Sequence, residues 1–331
     1  MPCCETAAGR RIYTLGLRLF PGFRGNAFVV DDGSRPFLVD CGSGQEMSNA
    51  DLDRGLERLA AEHGITIGYS DLDTILVTHG HIDHFGGLGH LRERTEAPIV
   101  MHLLDRRVPS RYGSRLMEAS AAVRSFLEKA GIREQRQRQY LDLYLGMKRL
   151  FHEVPVDVGV EEGEALDGRV ALHHTPGHCP GHLCVQVDDV LLTGDHLLAS
   201  ISPHIHPESI TLQNGLDHYL QSLDRVSAVD GIRVGLGGHG GPIADIYGRA
   251  REIRAEHELR LERILELTAE PRTLFELSKA VFGPVRSYHA FLALLETGAL
   301  VEYLDERGYL AATNLDRLAE TDATGLLYRR T

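Results

Sequence analysis

The chain has 331 residues, of which 43% are hydrophobic and 25% charged, with a formal net charge of −12. This is an ordinary globular balance, enough for a sizeable core and for one large domain with a smaller one. The acidic surface weakens any general attraction to nucleic acid or anionic membrane, while leaving room for a local basic patch.

The N-terminus, MPCCETAAGRR, lacks the basic-then-apolar order of a secretory signal. No stretch approaches 18 uninterrupted apolar residues, so no membrane span is expected. The five cysteines, Cys3, Cys4, Cys41, Cys179 and Cys184, are odd in number and form no CxxC pair. A disulfide framework is therefore not expected, and a reducing, cytoplasmic location is.

Residues 11–41 read as three strands, IYTLGLRLF, NAFVVDD and PFLVDCG, separated by Pro21-Gly22 and Asp32-Gly33-Ser34. Leu52 to Ala61 reads as a helix with Leu52, Leu56 and Leu59 apolar. The short apolar strand Thr74 to Val77 runs into Thr78 and His79. A helix is expected near Asp83 and a strand over Ala97 to Met101. Strands alternating with helices predict an α/β fold.

Residues 105–155 break that rhythm. SRLMEASAAVRSFLEKAG and REQRQRQYLDLYLGMKRLF are helical in composition, and Leu141, Tyr144, Leu145 and Phe151 would stripe one face. That stripe reads as plain packing or as part of a substrate pocket. GRVALHHTPG, LCVQVDD and VLLTGD restore the β pattern, with a turn at Asp188-Asp189. A helix over Leu216 to Val226 and a strand over Ile232 to Leu236 follow. From about 247 the order is a long charged helix to Thr268, two further helices, and a hairpin turning at Glu306-Arg307-Gly308. This is a winged-helix order. The expected domains are 1–246, with the helical insertion, and 247–331.

The chemistry concentrates in HGHIDH, residues 79–84. A strand delivers three histidines and an aspartate within six residues. Imidazole and carboxylate together suit zinc, iron or manganese. His79 and His81 can point to one side of a strand-to-loop turn, with Asp83 and His84 directed to a neighbouring point. The segment can thus serve two ions. The alternative, a histidine-rich surface loop, fits poorly with a buried strand immediately before it.

HGHIDH resembles the HxHxDH signature of the metallo-β-lactamase superfamily, which includes glyoxalase II-like thioesterases, lactonases and several nucleases. Thr175-Pro176-Gly177-His178 resembles its third-histidine motif, Thr193-Gly194-Asp195 its bridging-aspartate motif, and Gly237-Gly238-His239-Gly240 its last-histidine motif. Asp40 in LVDCG matches its early structural aspartate. The resemblance spans about residues 11–245. It implies an αββα sandwich, and two divalent ions, zinc first with iron or manganese as alternatives. His79, His81 and His178 would hold one ion; Asp83, His84 and His239 the other; Asp195 would bridge them. It further implies a metal-bound hydroxide that attacks a carbonyl or phosphorus centre.

His182, four residues after His178, is read as orienting a ligand. His204 and His206 follow Asp195 by about ten residues. They could contact substrate or protonate a leaving group, or could belong to an ordinary surface loop. His173, His174 and His196 are assigned to packing or the surface, and Cys179 to a structural role because the His/Asp set leaves it no vacancy.

The motif names chemistry rather than substrate. The tail resembles the C-terminal domain of a β-lactamase-like group that includes an endoribonuclease. Yet residues 251–331 carry 11 Lys/Arg against 14 Asp/Glu, and SYHAFLALLETGAL has neither Lys nor Arg. That argues against nucleic acid and for packing on the catalytic domain or on a second subunit in a homodimer. The apolar stripe of the insertion favours a small or acyl substrate, and its Arg133, Arg136 and Arg138 could meet an anionic group. The first expectation is a cytoplasmic hydrolase of a small thioester, lactone or ester. The second is a metal-dependent phosphodiesterase or endoribonuclease, and the third a non-catalytic binding protein on the same fold.

Overall fold

The computed structural model describes residues 1–146, 151–316 and 325–331, without the side chain of Glu164. The strands are β1 (Cys3–Glu5), β2 (Arg11–Phe20), β3 (Phe23–Asp31), β4 (Phe37–Val39), β5 (Thr74–Val77), β6 (Ile99–His102), β7 (Val158–Val160), β8 (Gly163–Ala165), β9 (Val170–His174), β10 (Leu183–Val187), β11 (Val190–Gly194), β12 (Val234–Gly237), β13 (Pro242–Ile243), β14 (Arg272–Thr273), β15 (Leu310–Ala312) and β16 (Leu327–Arg330). The helices are α1 (Glu46–His63), α2 (Ile82–Phe85), α3 (Leu88–Arg92), α4 (Arg107–Ser110), α5 (Tyr112–Lys129), α6 (Glu134–Gly146), α7 (Leu216–Ser227), α8 (Ile246–Leu267), α9 (Leu274–Phe282) and α10 (Ser287–Glu306).

The described chain divides into two compact units. The first comprises Met1–Gly113, Phe151–Pro203 and Ser222–Ala250. In it β1 to β7 form a seven-stranded sheet in chain order, and β13-β12-β11-β10-β9-β8 form a six-stranded sheet. Ile12, Phe28, Val30, Phe37, Val39 and Leu76 from the first sheet form one buried cluster with Val170, Leu172, Leu183, Val185, Val190, Leu192 and Leu236 from the second. Each such side chain contributes about 1.5–3 kcal/mol when taken fully from water. This is the inner layer of the expected α/β sandwich. β4, β5, β6 and β7 pair in parallel, as do β11 and β12. The carboxyl ends of parallel strands are where open α/β sheets gather ligand-binding loops.

The second unit comprises Ser114–Leu150, His204–Gln221 and Arg251–Thr331. Its α10 buries Phe291, Leu294, Leu295, Leu300, Val301 and Leu304. Tyr140 and Tyr144 of α6 set their rings 5.4 and 6.3 Å from that of Phe291. The amides of Phe275 and Leu326 donate to the carbonyls of Ala130 and Lys129. β14, β16 and β15 form a small antiparallel sheet.

Two sequence expectations change here. The apolar stripe of the insertion divides: Leu141, Tyr144 and Leu145 lie on α6 in the second unit, whereas Phe151 lies in the first. The part of that helix expected over 147–150 falls outside the described residues. The hairpin at 306–308 is also absent. VEYLDE continues α10 as far as Glu306, because nothing before Gly308 (φ 72°) breaks the helix. β15 then pairs with the later β16 instead. No disulfide joins any of the five cysteines, all of which lie among the described residues. No helix among those residues is long and apolar enough to cross a membrane.

Candidate metal centre

Four strand ends of the first unit supply the site. β5 leads into His79 and His81, and α2 immediately presents Asp83 and His84. The turn after β9 carries His178, Asp195 follows the end of β11, and β12 leads to His239. Ligand atoms converge in three overlapping groups, each within 4.8 Å: His79, His81, His178 and Cys179; His79, His84 and Asp195; and Asp83, His84 and His239. All seven ligands expected from the sequence are therefore drawn together. The structure also brings the buried Cys179 sulfur to the His79, His81 and His178 group, beyond the structural role expected of it.

Closer distances tie the groups into one site. His239 Nε2 lies 3.3 Å from both Asp83 Oδ2 and Asp195 Oδ2. His84 Nε2 lies 3.5 Å from Asp195 Oδ1, and His178 Nε2 lies 3.7 Å from Asp195 Oδ2. The rings of His79 and His84 are 4.1 Å apart, and those of His81 and His178 are 4.5 Å apart. Gly238 keeps this centre open, since a Cβ there would come 2.5 Å from both Asp195 Oδ1 and His84 Cε1.

Three of the rings commit their other nitrogen elsewhere. His84 Nδ1 lies 2.8 Å from Asp40 Oδ2, and His239 Nδ1 lies 2.7 Å from the Arg24 carbonyl. Thr78 Oγ1 lies 2.8 Å from Asp40 Oδ2 and 3.0 Å from His79 Nδ1, so the hydroxyl donates to the carboxylate and accepts from the imidazole. These contacts hold Nδ1 of all three rings as the N–H and turn the Nε2 lone pairs inward. Nε2 of His79 and of His84 are buried without a hydrogen-bond partner. Inward lone pairs facing carboxylates repel unless a proton or a metal cation lies between them. The donor set thus fits a divalent metal ion.

Without an ion, the same carboxylates draw protons onto two of these rings, His84 and His239. Burial and the neighbouring imidazoles hold His79 well below its ordinary value. Burial also opposes the charged form of His84 and His239, but the Asp195 carboxylate outweighs it. His84 is raised well above the usual range, and His239 is pushed up to about 10. Burial would raise Asp195, yet His239 and His84 draw it well below the usual carboxylate range.

His182 stands behind the centre. The Asp195 amide donates to its Nε2 at 3.0 Å, and its Nδ1 lies 2.8 Å from Thr175 Oγ1. With both ring nitrogens engaged, it fixes the backbone carrying Asp195. Thr175 itself had no assigned part. His174 donates to the Pro180 carbonyl at 2.7 Å and stacks on His102. His204 and His206 belong to the second unit, with rings 4.6 Å apart and His204 Nδ1 3.7 Å from Glu296 Oε2. Of the basic cluster, Arg138 pairs with Glu134 and Arg136 lies over the Phe275 ring.

Sequence reasoning missed Phe23. It stands 43% exposed beside the site, with its ring 4.7 Å from that of His239. The only signal was its place after the Pro21-Gly22 turn.

Comparison with known proteins agrees with this geometry. Residues 20–270 match the family model described as the metallo-beta-lactamase superfamily. The solved metallo-beta-lactamase family protein TTHA1429 from Thermus thermophilus is 31% identical, with a TM-score of 0.77, covering 97% of this chain and 98% of that one. The atrochrysone carboxyl ACP thioesterase of Aspergillus fumigatus is 24% identical over 276 residues, 78% of this chain and 68% of that protein. The probable metallo-hydrolase YqjP of Bacillus subtilis is 23% identical over 280 residues, 81% of this chain and 84% of that protein.

Proposed function

The chain belongs to the metallo-β-lactamase superfamily of metal-dependent hydrolases, and on that premise we propose that it hydrolyses a small thioester, lactone or ester with two divalent ions. The observation that carries this reading is the convergence of six histidine and aspartate side chains with Asp195. His79, His81 and His178 would hold one ion and Asp83, His84 and His239 the other, with Asp195 shared. Zinc is the metal proposed first, with iron or manganese fitting the same donors. The ions, when bound, make hydroxide available near neutral pH and stabilise developing negative charge.

The chain's own residues do the rest. Asp40, Thr78 and the Arg24 carbonyl fix the imidazole tautomers. His182 holds the Asp195 backbone. Asp83, partly exposed at the centre, is proposed to take the attacking water's proton as well as to serve as a ligand. An acyl substrate is supported by the exposed Phe23 ring beside His239, which offers an apolar wall, and by the thioesterase named among the relatives. The segment 247–331 is proposed as a winged-helix-like domain that binds no nucleic acid. Salt-sensitive RNA or DNA binding by the protein would reject that.

The test is a panel of acyl-thioesters, lactones and bis-p-nitrophenyl phosphate, run with metal analysis of the purified protein. Turnover confined to the phosphodiester rejects the acyl reading. D195A and H81A should lose metal and activity together; full metal content in both refutes the ligand assignment.

A further inference from the structure

Asp105 follows β6 and is 1% exposed. Its two carboxylate oxygens accept from backbone amides on two different loops. Oδ2 lies 2.8 Å from the Gly80 nitrogen, between His79 and His81. Oδ1 lies 2.9 Å from the Gly181 nitrogen, in the turn running from His178 to His182. Asp105 is held in turn: its amide donates to the His102 carbonyl at 3.0 Å, and its carbonyl accepts from Val108 at 2.8 Å.

The glycines show how close this approach is. A Cβ on Gly181 would come 2.8 Å from the Asp105 nitrogen and 2.9 Å from its Cβ and Cγ. A Cβ on Gly80 would come 3.2 Å from the Asp105 carboxyl carbon. Both glycines in the metal motifs therefore make room for this one carboxylate.

We propose that Asp105 is a positioning residue that clasps the His79–His81 turn to the His178 turn and so sets the separation of the three histidines expected to hold one ion. This rests on the metal-site reading above. A carboxylate accepting two buried amides is rigid, and both amides would be orphaned in its absence. The clasp fixes ligand spacing before any metal arrives, which lowers the ordering cost of binding. Asparagine cannot replace it, because its NH2 group would face one of the two amides.

The experiment is a chelator-competition titration of the full chain with Zn²⁺, alongside thermal unfolding of the metal-free protein. The D53N variant serves as a control for the same substitution away from the metal loops. Asp53 likewise accepts two hydrogen bonds, from Tyr69 and His90, but away from the metal loops. D105N should weaken Zn²⁺ binding by roughly 10–100-fold, with the loss confined to one binding step, while D53N leaves affinity unchanged. G80A retains the carboxylate but crowds it, and should weaken the same step by less. It also keeps the test open should D105N not fold. Equal affinities in wild type and both Asp105-clasp variants would overturn the proposal, as would a loss no larger than that of D53N. A wild-type chain that takes up no metal would overturn the metal-site reading and this inference with it.

Discussion

His84 Nδ1 and Asp40 Oδ2 lie 2.8 Å apart, with side chains only 2% and 1% exposed. Asp40 also accepts from the Thr78 amide and hydroxyl, and its backbone sits at φ 61°. D40A would leave three buried donors unpaired and should cost on the order of 3 kcal/mol in denaturant unfolding of the metal-free protein. D40N should cost less, since asparagine tolerates that backbone and keeps one acceptor. Both should weaken metal binding, because His84 loses the partner that fixes its tautomer. Unchanged stability and metal affinity in D40A would remove Asp40 from the site.

His239 gives a pH dependence with a definite sign. Burial opposes its charge, but Asp195 and Asp83 raise its value from 6.5 to about 10 in the metal-free protein. A raised folded value means stability that is fully present below about 6.5 and is lost as the pH climbs through 10. Unfolding midpoints of chelated protein should therefore fall between pH 7 and 10, and H239N should flatten that slope. Metal binds the neutral ring, so Zn²⁺ uptake at pH 7 should release protons, as read by indicator dye in weak buffer. Identical pH profiles in wild type and H239N would contradict this.

The sandwich strands were legible because short, buried, mostly apolar runs sit between turn residues, as in Phe37–Val39 and Thr74–Val77. The ligands were legible because HGHIDH places four donors on one local turn. VEYLDE was misread because its apolar alternation suits a strand, whereas helix propagation from Ser287 decides the outcome. The β15–β16 ladder joins segments too far apart for any local pattern to reveal. Asp105 and Phe23 were invisible for the same reason. Each touches the site through a contact that exists only after folding, Asp105 from the end of β6 and Phe23 from the start of β3.

Phe23 tests the substrate class. A side chain 43% exposed beside a ligand histidine contributes little to folding, so F23A should melt near the wild-type temperature. Against an acyl-thioester the KM should rise roughly tenfold with a smaller change in kcat, as expected for a lost apolar contact of about 1.4 kcal/mol. Metal content should not change. An unaltered KM for every acyl substrate in the panel would show that Phe23 faces no substrate.

In the second unit Glu296 Oε1 lies 3.2 Å from Arg260 Nη1, and its other oxygen faces His204. Burial pushes the carboxyl up, but His204 and Arg260 win and hold it below the ordinary 4.5. A lowered folded value means stability that is present above 4.5 and is lost as the pH falls. E296A removes the carboxylate facing Arg260 while Glu256 remains 3.5 Å from that guanidinium, so it should cost about 1–3 kcal/mol at pH 7, read from denaturant unfolding followed by circular dichroism. The gap between wild type and E296A should narrow by pH 4, where protonation begins to remove the same charge from the wild-type protein. A constant gap across that range would show that the contribution of Glu296 is packing rather than charge.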